Sequence, residues 1–116
     1  MAPNDAALAE IIEEARRLSA LIDRGVEALR QSAEALAIAE QEYRKAKAKA
    51  WLVAAGDLAR EREANVDSRT ADLRMARDLA EGTRQAALEA LRSRRSQMDA
   101  LRSILSATRA DMELAR

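Results

Sequence analysis

The chain has no cysteine, no histidine and no phenylalanine. Without cysteine there is neither a disulfide nor thiol chemistry. Without histidine as well, a zinc site would need carboxylates alone, a donor set zinc seldom accepts. No metal and no cofactor is expected. Nucleophilic catalysis would need a serine beside a lysine, and no such pair is placed to share a pocket. Three glycines are too few for a phosphate-cradling loop. Glu13 and Glu14 fall on a solvated helix face, where nothing raises a carboxyl pKa for acid–base work. These gaps predict a protein that is not an enzyme. Strand formers are scarce, with five isoleucines and three valines. The one proline is Pro3, so little breaks a helix further on. No apolar run reaches the roughly 18 residues of a membrane span. The opening MAPND lacks the basic and apolar regions of a signal peptide, and a cytoplasmic protein is the default expectation.

What remains is helical material. Ala, Leu, Glu, Lys and Arg supply 74 of 116 residues, a composition of long helices or coiled coils. Asn4 or Asp5 can cap a first helix over about 5–55. Leu8, Ile11, Ala15, Leu18, Ile22, Gly25, Leu29, Ser32, Leu36, Ala39, Tyr43, Ala46, Ala50 and Val53 recur at steps of three and four, a heptad seam. Gly25 and Ser32 weaken its middle, so a break near 25–32 is considered. Gly56-Asp57 reads as the turn, with Gly ending one helix and Asp capping the next. A second helix over about 58–114 carries its seam on Val66, Thr70, Leu73, Ala76, Ala80, Ala87, Leu91, Met98, Leu101, Leu105 and Met112, with Gly82-Thr83 a weak point and Arg94 an interruption. The expected fold is all-α: one domain, a long antiparallel helical hairpin. In such a hairpin each helix meets one partner, while Ile12 and Val26 widen the first stripe beyond one contact. A homo-oligomer is therefore expected.

Charge is neutral overall but segregated. Residues 1–43 carry −5, 44–49 carry +4, 50–83 carry −2 and 84–102 carry +3. The stretch YRKAKAKAW holds all three lysines and both aromatics, Tyr43 and Trp51. Arg44, Lys45, Lys47 and Lys49 with two rings suit single-stranded DNA, phosphates meeting cations and bases stacking on rings. The competing reading is structural. Tyr43 lies on the seam, and a turn at 56–57 places 44–49 opposite 64–69, where Asp67 and nearby Glu63 could pair with the lysines. Arg92, Arg94 and Arg95 form a second island, able to contact DNA or to pair with the acidic N-terminal arm.

From residue 41 to about 113 the stretches EYRKAKAKAW, EREANVDSRTADLRMARDLAEG and RQAALEALRSRRSQMDALRSIL resemble small helical proteins of tailed bacteriophages, especially those of actinobacteria. That group is similar to the UvsY-type recombination mediators of T-even bacteriophages. The shared features are a basic run, a Gly turn, and a helix ending in the pattern of ALEALRSR, Ala87 to Arg94. The first 40 residues lie outside the match. In the mediators a Lys-Ala-Arg element before the turn contacts single-stranded DNA. Its counterpart here is Lys47-Ala48-Lys49, with Lys45-Ala46-Lys47 the alternative register. This chain has Lys where the family has Arg, and Trp51 replaces a tyrosine-rich neighbourhood. The resemblance implies a ring-like homo-oligomer in the cytoplasm of an infected bacterium. It would bind single-stranded DNA and help a RecA-type recombinase displace single-strand-binding protein, without ATP hydrolysis. Two other readings share the composition: a phage assembly scaffold or helical interaction module with no nucleic-acid role, and an inhibitor that docks on a host protein.

Overall fold

The computed structural model describes residues 3–115, with side chains from Asp5 onward. It contains two helices, α1 (Pro3–Leu52) and α2 (Ala59–Leu114), and no strand among the described residues. The all-α, two-helix expectation is met. Neither helix is long and apolar enough to cross a membrane. The capping role considered for Asn4 falls outside the described side chains. Asp5 stands inside the first turn, where its charge complements the helix dipole.

No break occurs at 25–32, because each weak residue is accommodated. Gly25 faces Leu91, whose Cδ1 would lie 3.3 Å from a Cβ built on the glycine. Ser32 is buried and donates its hydroxyl to the Leu29 carbonyl at 2.9 Å, leaving no unsatisfied polar atom. Thr70 on α2 does the same, donating to the Val66 carbonyl at 2.8 Å.

The connection differs from the expected two-residue turn. It spans 53–58. Helix α1 closes with tightened bonds, Val53 N–H to the Ala50 carbonyl at 3.3 Å and Ala54 N–H to the Trp51 carbonyl at 3.4 Å. Gly56 follows with φ +133°, where a Cβ would meet the Glu61 Cβ at 2.7 Å. That conformation and that approach both require glycine. The Asp57 carboxylate does not cap α2. The Leu58 carbonyl accepts from Glu61 N–H (3.0 Å) and Arg62 N–H (3.1 Å), and the Glu61 carboxylate reaches back to Asp57 N–H at 3.1 Å. This is a displaced form of the capping box. Side chains of α2 then satisfy loop carbonyls: Arg62 donates to Gly56 (3.1 Å), and Asn65 donates to Ala55 (2.7 Å).

Packing divides the chain into two compact units, 29–87 and 1–28 with 88–116. The first is a helical hairpin around Leu36, Tyr43, Ala50 and Val66. In the second, the two chain segments pack antiparallel about Leu18 and Leu91. Every seam residue of α1 from Leu8 to Ala50 is buried or half-buried, whereas Val53, past the helix end, is 59% exposed. On α2 the seam departs once from expectation. Ala76 is exposed, and Arg77 takes the half-buried position, with Arg84 half-buried one heptad on. Arginine can do this because its aliphatic stem packs while its guanidinium reaches water.

Candidate nucleic-acid interface

The basic run lies on the last turns of α1, within the 29–87 unit. Its opposing partners are not those expected. Tyr43, placed by the short turn opposite Thr70, instead packs beside Arg77, about two helical turns further along α2. Thr70 lies by Lys49 and Ala50. Asp67 borders a different depression, with Ala71, Arg74, Met75, Asp78 and Leu79. The interhelix ion pairs considered for the lysines are absent: Arg44, Lys45, Lys47 and Lys49 form no salt bridge among the described residues.

The longer connection sets a register that brings further cations to the run. Arg77 lies over the Tyr43 ring, its Cζ 4.7 Å from the centroid, and Lys47 Nζ is 5.8 Å from the same centroid. Both are within cation–π range. Arg77 is held from behind by Asp78, with Nη2 at 2.9 Å and Nε at 3.2 Å from Oδ1. That hydrogen bond raises the guanidinium pKa further, against some desolvation and with help from the charges of Asp78, Tyr43 and Glu40. Arg77 is therefore a fixed cation. With Glu40, Tyr43, Arg44 and Lys47 it lines a cleft of about 220 Å³. Tyr43 itself is only 7% exposed. Little of the ring is open to a base. Its ring positions two cations instead.

Trp51 is 43% exposed and follows Lys47 by four residues, on the same side of α1 as Arg44. One helical turn, about 5.4 Å, thus separates the cleft from a ring open to solvent. Lys49 points elsewhere. It lines a second groove with Ala46, Ala50, Val53, Arg69 and Thr70. The two lysines of Lys47-Ala48-Lys49 serve different grooves, and Lys45 is exposed. Arg69 and Arg77 were missed by reading α1 alone. The signal that could have found them is interhelix register.

The second island lies in the other unit. Arg92 pairs with Glu89 of its own helix at 3.2 Å. Arg95 is exposed. Arg94 is half-buried in a cleft of about 210 Å³ with Leu21, Arg24, Gly25, Ala28, Ala90 and Leu91. Among the described residues, Arg92, Arg94 and Arg95 form no ion pair with the acidic N-terminal arm. Glu13 is engaged by Arg16 at 3.8 Å, and Glu14 by Arg17. The Arg17 hydrogen bond holds the Glu14 carboxyl below its usual pKa. Local partners three residues away outcompete the facing helix. Arg24 joins Arg94 instead, a like-charged neighbour that reading the island alone does not disclose. Comparison with protein-family models, with curated proteins and with solved structures found no match to this chain.

Proposed function

We propose that this protein binds single-stranded DNA on the 29–87 unit and acts as a recombination mediator in the cytoplasm of an infected bacterium. Phosphates meet Arg44, Lys47 and Arg77, and a base stacks on Trp51. Lys45, and Lys49 with Arg69, extend the positive surface. A homo-oligomeric ring of such units, each modest alone, becomes a strong multivalent site. It holds the strand for a RecA-type recombinase in place of single-strand-binding protein. No catalytic step is part of this reading.

The observation that supports DNA contact is the cleft itself. Two helices converge three cations around a buried ring, with Glu40 and the Arg77-bound Asp78 as the nearby acids. An anion relieves that crowding. The mediator role, the ring and the recombinase rest on the resemblance of residues 41–113.

Trp51 is the natural probe. Oligo(dT) titrated at low salt should quench its fluorescence, and added NaCl should restore it as counterions displace the phosphates. A flat signal together with no gel shift would sink the DNA reading and leave a helical scaffold.

A further inference from the structure

Exposed apolar side chains gather at the turn of the hairpin. Four of the eleven large ones among the described residues fall within the eight positions 51–58. Leu52 is 86% exposed, Val53 59%, Leu58 47% and Trp51 43%. The DNA contact described above uses Trp51 and leaves the other three in water, an apolar patch that the fold does not cover. Between Lys49 and Arg60 the only charge is Asp57. Behind that gap the charge is basic. Residues 44–62 hold Arg44, Lys45, Lys47, Lys49, Arg60 and Arg62 against Asp57 and Glu61, and Glu42 and Glu63 bound the excess. Lys45, Lys47, Lys49 and Arg60 are exposed and form no ion pair among the described residues.

The turn also supplies its own backbone with partners. Asn65 donates to the Ala55 carbonyl at 2.7 Å, and Arg62 to the Gly56 carbonyl at 3.1 Å. Asp57 N–H donates to the Glu61 carboxylate at 3.1 Å. Val53 N–H and Ala54 N–H donate to the Ala50 and Trp51 carbonyls. These groups keep their hydrogen bonds when water is removed, which is what a segment entering lipid requires.

We propose that this tip docks on the surface of an anionic membrane. Neither helix is long and apolar enough to cross a bilayer, so the contact is with one leaflet. Leu52, Val53 and Leu58 enter between the headgroups. Trp51 takes the interfacial level that its amphipathic ring favours. The three lysines and Arg60 meet lipid phosphates. The depths agree. Lys45, Lys47 and Lys49 lie about 3–9 Å behind Trp51 along the α1 axis, and interfacial apolar groups sink about 5–10 Å. Charge selects the occupant: cations collar an apolar tip as anionic headgroups cover a hydrocarbon interior. Asp57 opposes this attraction and is outnumbered.

The inference does not rest on DNA binding, because Leu52, Val53, Leu58 and Arg60 have no part in that reading. The test is co-sedimentation of the full chain, without DNA and at low salt, with two kinds of vesicle: equimolar phosphatidylglycerol and phosphatidylcholine, or phosphatidylcholine alone. Wild type should partition onto the anionic vesicles, and at least tenfold less onto the others. Lipids brominated on their acyl chains should quench Trp51. Leu52→Ser with Val53→Ser should lower partition at least tenfold while the circular dichroism spectrum and oligo(dT) affinity hold. Arg60→Ala should weaken it roughly fivefold. Met75→Ser, exposed but away from the tip, should change nothing. Wild type left in the supernatant of anionic vesicles overturns the proposal and leaves the tip to a protein partner. Equal partition onto both vesicles overturns it as well, and so does partition that the double serine variant retains. Oligo(dT) binding measured without vesicles stands or falls separately.

Discussion

The two basic islands look alike as text and differ as surfaces. At 44–49 the cations form no ion pair across the hairpin among the described residues, and the facing helix adds Arg69 and Arg77. At 92–95 the leading arginine is neutralised within its own helix by Glu89 at 3.2 Å, and Arg94 is half-buried. A run of basic letters becomes a binding surface only if the neighbouring turns do not cancel it. Substitutions that pull the two islands apart are therefore the most informative.

The largest effect is expected from Arg44→Ala with Lys47→Ala. Both side chains enter the Tyr43 cleft beside Trp51. Two phosphate contacts should go, at about tenfold each, for roughly a hundredfold loss of oligo(dT) affinity at low salt. The slope of log affinity against log salt should fall by about 1.4. Both residues are exposed, so the melting temperature should hold. A large drop in melting temperature with affinity intact would show that they support the fold and not a ligand.

Arg77→Met comes next. Methionine keeps an apolar stem over the Tyr43 ring and removes the charge. About a tenfold loss of affinity is expected, with the salt slope reduced by about 0.7. Fluorescence anisotropy of labelled oligo(dT) reads both. This variant tests whether α2 belongs to the site. An unchanged slope would return Arg77 to a purely structural place over Tyr43.

The heptad seam was legible because its cause is local: residues at steps of three and four share a face whatever the partner does. Leu18, Leu36, Val66 and Leu91 were all on it, and all are buried. Register was not legible. A slip of seven residues carries one heptad seam onto the next position of the other, so Thr70 and Arg77 present equally valid partners for Tyr43. What selects between them is the connection, and its six residues depend on contacts between the turn and α2. Arg62 and Asn65 donate to carbonyls of Gly56 and Ala55, ten or fewer residues away yet across the turn. Gly56 was recognised as punctuation, but the helix ends before it. Arg77 was passed over because arginine reads as a surface residue. Tyr43 was assigned two roles, core and stacking platform, and its burial shows the first.

Lys49→Ala should have a smaller effect, two- to threefold, because Lys49 lies in the other groove with Arg69 and away from Trp51. A charge there acts on the strand through screened attraction, which weakens beyond the roughly 10 Å Debye length at 0.1 M salt. Gel shifts at two salt concentrations would resolve it. If Lys49→Ala equals Lys47→Ala, the strand wraps both grooves and the site is broader than the Tyr43 cleft.

The smallest effect is expected at the second island. Arg92→Ala removes a cation already paired with Glu89, and it also frees that carboxylate. The exposed pair, with side chains 64% and 67% accessible, carries little net field for a distant phosphate to sense. Affinity for oligo(dT) should change by less than about twofold, and the salt slope should not move. Glu89→Ala is the converse. It frees Arg92 beside Arg95, so any DNA path over this island should strengthen in that variant. Isothermal titration of both variants therefore decides whether 92–95 meets DNA at all. A rise with Glu89→Ala matched by a fall with Arg92→Ala would make the second island a true contact, and the contrast between the islands would be one of degree.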